Sequence, residues 1–209
     1  ARRIADIPGV QTVETRIRHL VTLDVAGFSA PVMGLLASLP KAGEQRLNRL
    51  ALRTGRLVEA GRPDEVVLDE AFAEAHKLMP GDGLTALING RQRRLHVVGV
   101  ALSPEFVYAI GPGQLMPDGK RFGVLWMGQD TLEAAFDLDG AFNDVTLALL
   151  PGADQRAVIT RLDALLDRYG GTGAYGREDQ ISNWFLGNEI QQLKTMAGIL
   201  PTIFLVAAA

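Results

Sequence analysis

A mixed α+β fold is what this 209-residue sequence predicts, and three features carry the prediction. Apolar residues alternate with polar ones from Val13 to Val25, the period-two signature of a strand with one buried face. Asn89-Gly90 joins two strand-like runs, and that dipeptide accepts the positive φ angles that a tight hairpin turn needs. Residues 154–169 and 179–194 each carry apolar side chains at three- and four-residue spacing, which marks amphipathic helices.

The elements follow in order. Arg2–Ile7 reads as a short helix ended by Pro8-Gly9. After the long strand, Gly27 to Pro31 breaks the chain and Val32–Ala37 reads as a second strand. Residues 39–65 hold Pro40, Gly43, Gly55, Gly61 and Pro63, a polar stretch expected to be irregular and to mark a subdomain junction. Val66–Leu68 is a short strand, and Asp69 is placed to cap a helix reaching Leu78, with Phe72, Ala75 and Leu78 on one face. Leu84–Ile88 and Arg91–Leu102 form the hairpin, and Phe106–Ile110 reads as a further strand before Gly111-Pro112-Gly113. Phe122–Met127 is an apolar strand, followed by a capping box of Asp130 and Glu133 opening a helix to Phe136. Asn143–Leu150 is a strand. Pro151-Gly152 then turns into a helix with Val158, Ile159, Leu162, Leu165, Leu166 and Tyr169 on one stripe, ended by Gly170-Gly171. The last amphipathic helix places Ile181, Trp184, Phe185, Ile190 and Leu193 in register. It runs into an apolar tail from Met196 to Ala209, with Gly198 and Pro201 as its weak interruptions. A membrane helix takes about 20 apolar residues, so that tail reads as the start of a transmembrane helix, against the plainer reading of a buried terminal helix.

Composition narrows the functions. Hydrophobic residues at 47% and charged residues at 22% are ordinary for a folded chain. A net charge of −3 supplies no basic field to attract nucleic acid. With no cysteine, disulfides, zinc–thiolate sites and thiol catalysis are excluded. The three histidines, His19, His76 and His96, lie far apart in sequence and at no metal-ligand spacing. His19 falls on the apolar face of its strand, where a satisfied core histidine is expected. The carboxylates Asp64, Glu65, Asp69 and Glu70 surround a helix start, where they favour the helix dipole without any metal. Gly171 to Gly176 matches G-x-G-x-x-G, but it follows a helix and precedes Arg177-Glu178-Asp179, so it reads as a turn and not as a dinucleotide site. No P-loop and no G-x-S-x-G elbow occurs. Arg91 to Arg94 is the densest basic run, expected as a solvated hairpin face, with lipid headgroups or a partner as the alternative. No catalytic residue, metal or cofactor is assigned, and the chain is not expected to be an enzyme.

Several stretches together resemble the extracytoplasmic domains of FtsX-like ABC transporter permeases, including the MacB-type core domain. They are Ile7 to Val10 ahead of the first strand, Asp64 to Ala73, Leu78 to Asp82, Val97 to Val100, Phe142 to Leu147 and Pro151 to Ala153. The resemblance implies a porter-like α/β sandwich subdomain of residues 1–50 and 112–177, with a smaller mixed α/β subdomain inserted at 51–111. A stalk helix at 178–195 follows, with a transmembrane helix beginning in 196–209. It also implies a domain outside the bacterial inner membrane, in the periplasm, a separate cytoplasmic ATP-binding subunit, and a second permease copy as partner. Trp184, Phe185 and Leu186 are the residues expected to couple stalk to domain, and ordinary helix packing is the competing reading for them. A soluble ligand-binding or protein-interaction module is the second functional class, and an extracytoplasmic hydrolase the third.

Overall fold

Seven strands pair into one sheet, and its hydrogen bonds close on themselves. The computed structural model describes residues 1–25, 27–28, 32–40 and 45–207. The break expected over Gly27–Pro31, Gly43 of the irregular stretch and the last two residues of the apolar tail lie partly or wholly outside them. The sheet order is β4 (Ala51–Gly55), β7 (Arg91–Leu102), β5 (Glu65–Asp69), β8 (Phe122–Gly128), β3 (Val32–Leu39), β2 (Arg18–Asp24) and β6 (Gly83–Ile88). β7 is long enough to serve three partners. Residues 91–96 pair antiparallel with β6, while residues 96–101 run parallel to β5 and residues 99–102 take β4 on the opposite edge. With β6 also bonded to β2, the six strands β7, β5, β8, β3, β2 and β6 form a ring, a small barrel.

Strand alternation fills that barrel. Val21, Leu23, Leu36, Val66, Leu68, Leu84, Ala86, Leu95, Val97, Leu125 and Met127 point inward and are buried. Phe72 of α2 (Glu70–His76) and Leu132 of α3 (Gln129–Phe136) plug the interior. Gly123 makes room for Phe72: a Cβ there would run into the phenyl ring. Outside, Val67, Ala101, Val124 and Trp126 are covered by Leu57, Val58, Phe106 and Ala109. β8 is therefore buried on both faces, which is why its sequence is apolar throughout and not alternating.

A second, smaller layer joins the two ends of the chain. β1 (Val10–Arg16) pairs antiparallel with β9 (Asp144–Leu149), and α1 (Arg2–Ala5) and α4 (Gln155–Leu166) pack on them through Ile4, Ile7, Val158 and Leu162. Asp154 caps α4, accepting from the Ala157 amide at 3.1 Å. Tyr169, placed by periodicity on the apolar stripe, lies instead in a 3₁₀ turn and is exposed.

Four expectations are corrected. The long strand is two: at Ile17, fully buried, the chain leaves the small sheet for the barrel, and Ile17 and Ser38 hold the corner by exchanging hydrogen bonds of 2.9 Å. Phe106–Ile110 forms no strand and lies as a loop over the outer face of β8. The irregular stretch 39–65 contains β4. Asp130 and Glu133 make no capping box, because α3 starts directly after β8 with Gly128 as N-cap; Asp130 instead accepts from the Thr131 amide and Glu133 from Gln129. Strand pairing also crosses the boundaries expected at 50/51 and 111/112, since β2 bonds β6 and β5 bonds β8.

The hairpin turn is as expected, with Asn89 and Gly90 at φ of 47° and 73°. His19 is half-buried, stacked on Phe136 at 3.8 Å, and burial lowers its pKa. The acidic group at 64–70 is distributed among arginines: Asp64 pairs with Arg93, Glu65 with Arg56 and Glu70 with Arg53. α5 runs without interruption from Ile181 to Ala207, through Gly198 and Pro201. No helix among the described residues is long and apolar enough to cross a membrane.

Candidate coupling site

The loop of residues 103–121 holds the barrel, the small layer and α5 together. It is longer than most loops in compact domains, and loops of such length usually have a role of their own. Its first part follows β7, whose last residues are pinned between β4 and β5, so Ser103 and Glu105 start from a fixed point. Ser103 Oγ accepts from the Glu105 amide at 3.2 Å and sets the turn.

Glu105 then becomes the acceptor for two strands. The guanidinium of Arg16, last residue of β1, donates to both of its oxygens, at 3.0 Å from Nη2 and through Nη1 to the other. Arg18, first residue of β2, adds a bond of 3.3 Å, and Asn48 Nδ2 one of 2.9 Å. Asp144 of β9 completes the cluster, accepting from Arg16 Nε at 2.7 Å and from Arg18 at 3.3 Å. The side chains of Arg16 and Glu105 are each only 9% exposed. Burial alone would lower the pKa of Arg16, but hydrogen bonds and charge from Glu105 and Asp144 outweigh it and hold the guanidinium charged well above its ordinary value. Two acids and two arginines, mutually bonded, thus tie β1, β2, β9 and the loop at one point. Arg18 also lies over the Phe106 ring, 5.2 Å from its centroid, and Phe106 in turn meets Trp126 of β8 at 6.3 Å.

Two residues further on, the loop grips α5. The Tyr108 amide donates to Ser182 Oγ at 3.0 Å, and its phenol donates to Glu189, two turns along the helix. That bond raises the pKa of the phenol. The approach to α5 is fixed from the small layer as well, where Gln155 of α4 donates to Glu178 at 2.6 Å. The glycine-rich segment 171–176 lies between these contacts as an irregular turn, with the Ala174 amide bonded to Asp163.

Of the three residues singled out in the sequence, Phe185 meets Tyr108 with ring centroids 6.1 Å apart. Trp184 packs edge-on against Phe185 at 5.1 Å but is 58% exposed, and Leu186 is half-buried. Ile190 and Leu193, further along the apolar stripe, are exposed. Sequence reasoning missed Glu105, Tyr108, Ser182 and Glu189. None of them lies in a periodic pattern, and the one available signal was the run Glu105–Tyr108 of charged and aromatic residues inside a breaker-rich loop.

No known family profile matches the chain, and no curated protein sequence is significantly similar to it. Solved structures do match. The extracellular domain of the noncanonic ABC-type transporter YknZ from Gram-positive bacteria aligns at TM-score 0.50 and 15% identity, over 83% of each chain. The periplasmic region of MacB from Actinobacillus actinomycetemcomitans aligns at 0.46 and 16%, over 79% of this chain and 72% of that one. A domain of a permease protein from Porphyromonas gingivalis aligns at 0.42 and 14%, over 87% and 78%. The resemblance read in the sequence is met at the level of fold: this chain shares the fold of the extracellular domain of an ABC-type transporter.

Proposed function

We propose that the chain is the extracytoplasmic domain of an ABC transporter permease subunit, and that it passes motion of the membrane helices outward. The observation that carries this reading is the 103–121 loop, which bonds α5 through Tyr108 and, three residues earlier, ties both layers through Glu105. A displacement of α5 reaches the barrel and the small layer through a short path of hydrogen bonds and packed rings. In this reading the first turns of α5 are the stalk, Phe185 and Tyr108 are its seat, and residues 196–207 begin a membrane helix. Trp184, edge-on to Phe185, and the half-buried Leu186 are assigned to the same coupling region. A cytoplasmic ATP-binding subunit supplies the motion, and a second permease copy is its partner in the membrane. The domain performs no chemistry of its own.

The chain has no cysteine, so in a permease freed of any cysteines elsewhere a single one can be introduced here. Asp139 is exposed and makes no hydrogen bond or ion pair among the described residues. In the permease bearing Asp139→Cys, reconstituted with its ATPase, a spin label would report the distance between the two copies. The distance should change by about 2 Å or more between nucleotide-free and vanadate-trapped states, the scale of helix shifts in switching proteins. Tyr108→Ala should abolish that change while ATP hydrolysis continues. A distance that ignores nucleotide, or that still responds in Tyr108→Ala, would refute the coupling path.

A further inference from the structure

We propose that the mouth of the barrel, beneath the β6–β7 hairpin, binds an organic anion carried on an apolar body, with Arg91 as its anchor. The proposal stands on strand geometry and not on the coupling reading. Along β7, Leu95 and Val97 face the barrel interior and are 0% and 1% exposed. Alternation puts Arg93 and Arg91 on that same inner face. The register agrees, because Arg91 lies opposite Ile88 and Arg93 opposite Ala86, both buried inward residues. The basic run is therefore divided: Gln92 and Arg94 face away from the barrel, whereas two arginines stand at its open end.

A cavity of about 590 Å³ lies there, between the hairpin, the loop at residues 61–63 and α3. Ile88, Ala134 and Ala135 give it apolar walls, and the Asn89 amide fixes one of them by donating to the Ala135 carbonyl at 3.0 Å. Its size falls in the usual range for small-molecule sites, and barrel mouths are among the places such sites occur. The charges around it, Arg91 and Arg93 against Asp64 and Asp130, are equal in number but unequally paired. Arg93 is neutralised by Asp64 at 2.8 Å. Asp130, on the opposite wall, accepts from the Thr131 amide in the first turn of α3, where the helix dipole offsets part of its charge. Arg91 makes no ion pair among the described residues. Arg91 is thus the guanidinium without an ion-pair partner, with donors suited to a carboxylate or phosphate above apolar walls suited to a hydrocarbon, and Asp130 opposes it across the site.

Octanoate is the soluble probe and octan-1-ol its neutral counterpart, each titrated into the ¹⁵N-labelled 209-residue chain. Octanoate should shift the amides of Ile88, Arg91, Ala134 and Ala135 saturably. Octan-1-ol should bind about tenfold more weakly or worse, the factor expected for loss of a charge-assisted hydrogen bond. Arg91→Ala should weaken octanoate by a similar factor, and Asp130→Asn should leave it equal or tighten it. Co-sedimentation with phosphatidylglycerol vesicles, against phosphatidylcholine vesicles, separates the sources. Binding to the anionic vesicles that is lost in Arg91→Ala assigns a lipid, and octanoate binding without vesicle binding assigns a soluble anion. The proposal is overturned if neither probe shifts the cavity amides, if octan-1-ol binds as tightly as octanoate, or if Arg91→Ala changes nothing.

Discussion

Loss of Glu105 should weaken the molecule sharply, because three side chains share it as an acceptor. In Glu105→Ala the Arg16 guanidinium keeps only Asp144, while Arg18 and Asn48 each lose an acceptor. Breaking a buried ion pair by removing one partner costs about 3–5 kcal/mol, because the remaining charge stays desolvated. Arg16 retains its bond to Asp144, so the cost here should fall at or just below the bottom of that range, about 2–3 kcal/mol. For a chain of this size that is a drop of roughly 5–10 °C in Tm. Thermal and urea unfolding followed by circular dichroism would measure it. The double variant Arg16→Met with Glu105→Leu removes both charges and should recover most of the loss, giving strong non-additivity. If Glu105→Ala lies within about 0.5 kcal/mol of the parent, the ordinary range for surface changes, or if the single effects simply add, the cluster does not hold the layers together.

Two further outcomes follow from buried groups in the barrel. Asp69 is almost wholly buried beside Glu70, and desolvation pushes its carboxyl up to about 6 from an ordinary 3.8. The amides of Phe72 and Ala71 temper that rise without hydrogen-bond geometry to the side chain. The folded state thus holds the proton more tightly than the unfolded one, and this group's contribution is favourable below about pH 4 and lost as pH rises to about 6. The loss amounts to about 3 kcal/mol, so Asp69→Asn should flatten the stability profile between pH 4 and 6, and denaturation curves at those two values would check it. Gly123→Ala drives a methyl group into the Phe72 ring; overpacking of this kind costs about 1–3 kcal/mol, and Phe72→Leu in the same chain should return part of it in urea unfolding.

Local structure was legible in the sequence, and long-range structure was not. Asn89-Gly90 and the apolar run of β8 each declare themselves within a few residues, and each is where it was read. Nothing local distinguishes one strand from two across Ile17, because alternation continues through it while the hydrogen-bond partner changes from β9 to β3 and β6. The parallel pairing of β3 with β8 joins residues far apart in the chain, which no period reveals. The candidate site failed to show for a related reason. Arg16 and Arg18 sit at polar positions of an alternating pattern and read as solvated, yet Arg16 is buried because a distant loop brings Glu105 over it. Trp184 illustrates the converse: its aromatic bulk reads as a packing contact, while it is 58% exposed and Phe185 is the ring that meets Tyr108.

Everything proposed about coupling rests on the domain standing outside the inner membrane. The most direct test is labelling of Asp139→Cys in the permease, expressed with any cysteines elsewhere removed, using a membrane-impermeant maleimide on intact cells with lysed cells as control. The account predicts labelling in intact cells to the level reached after lysis. Labelling that appears only after lysis would place the domain in the cytoplasm and contradict it.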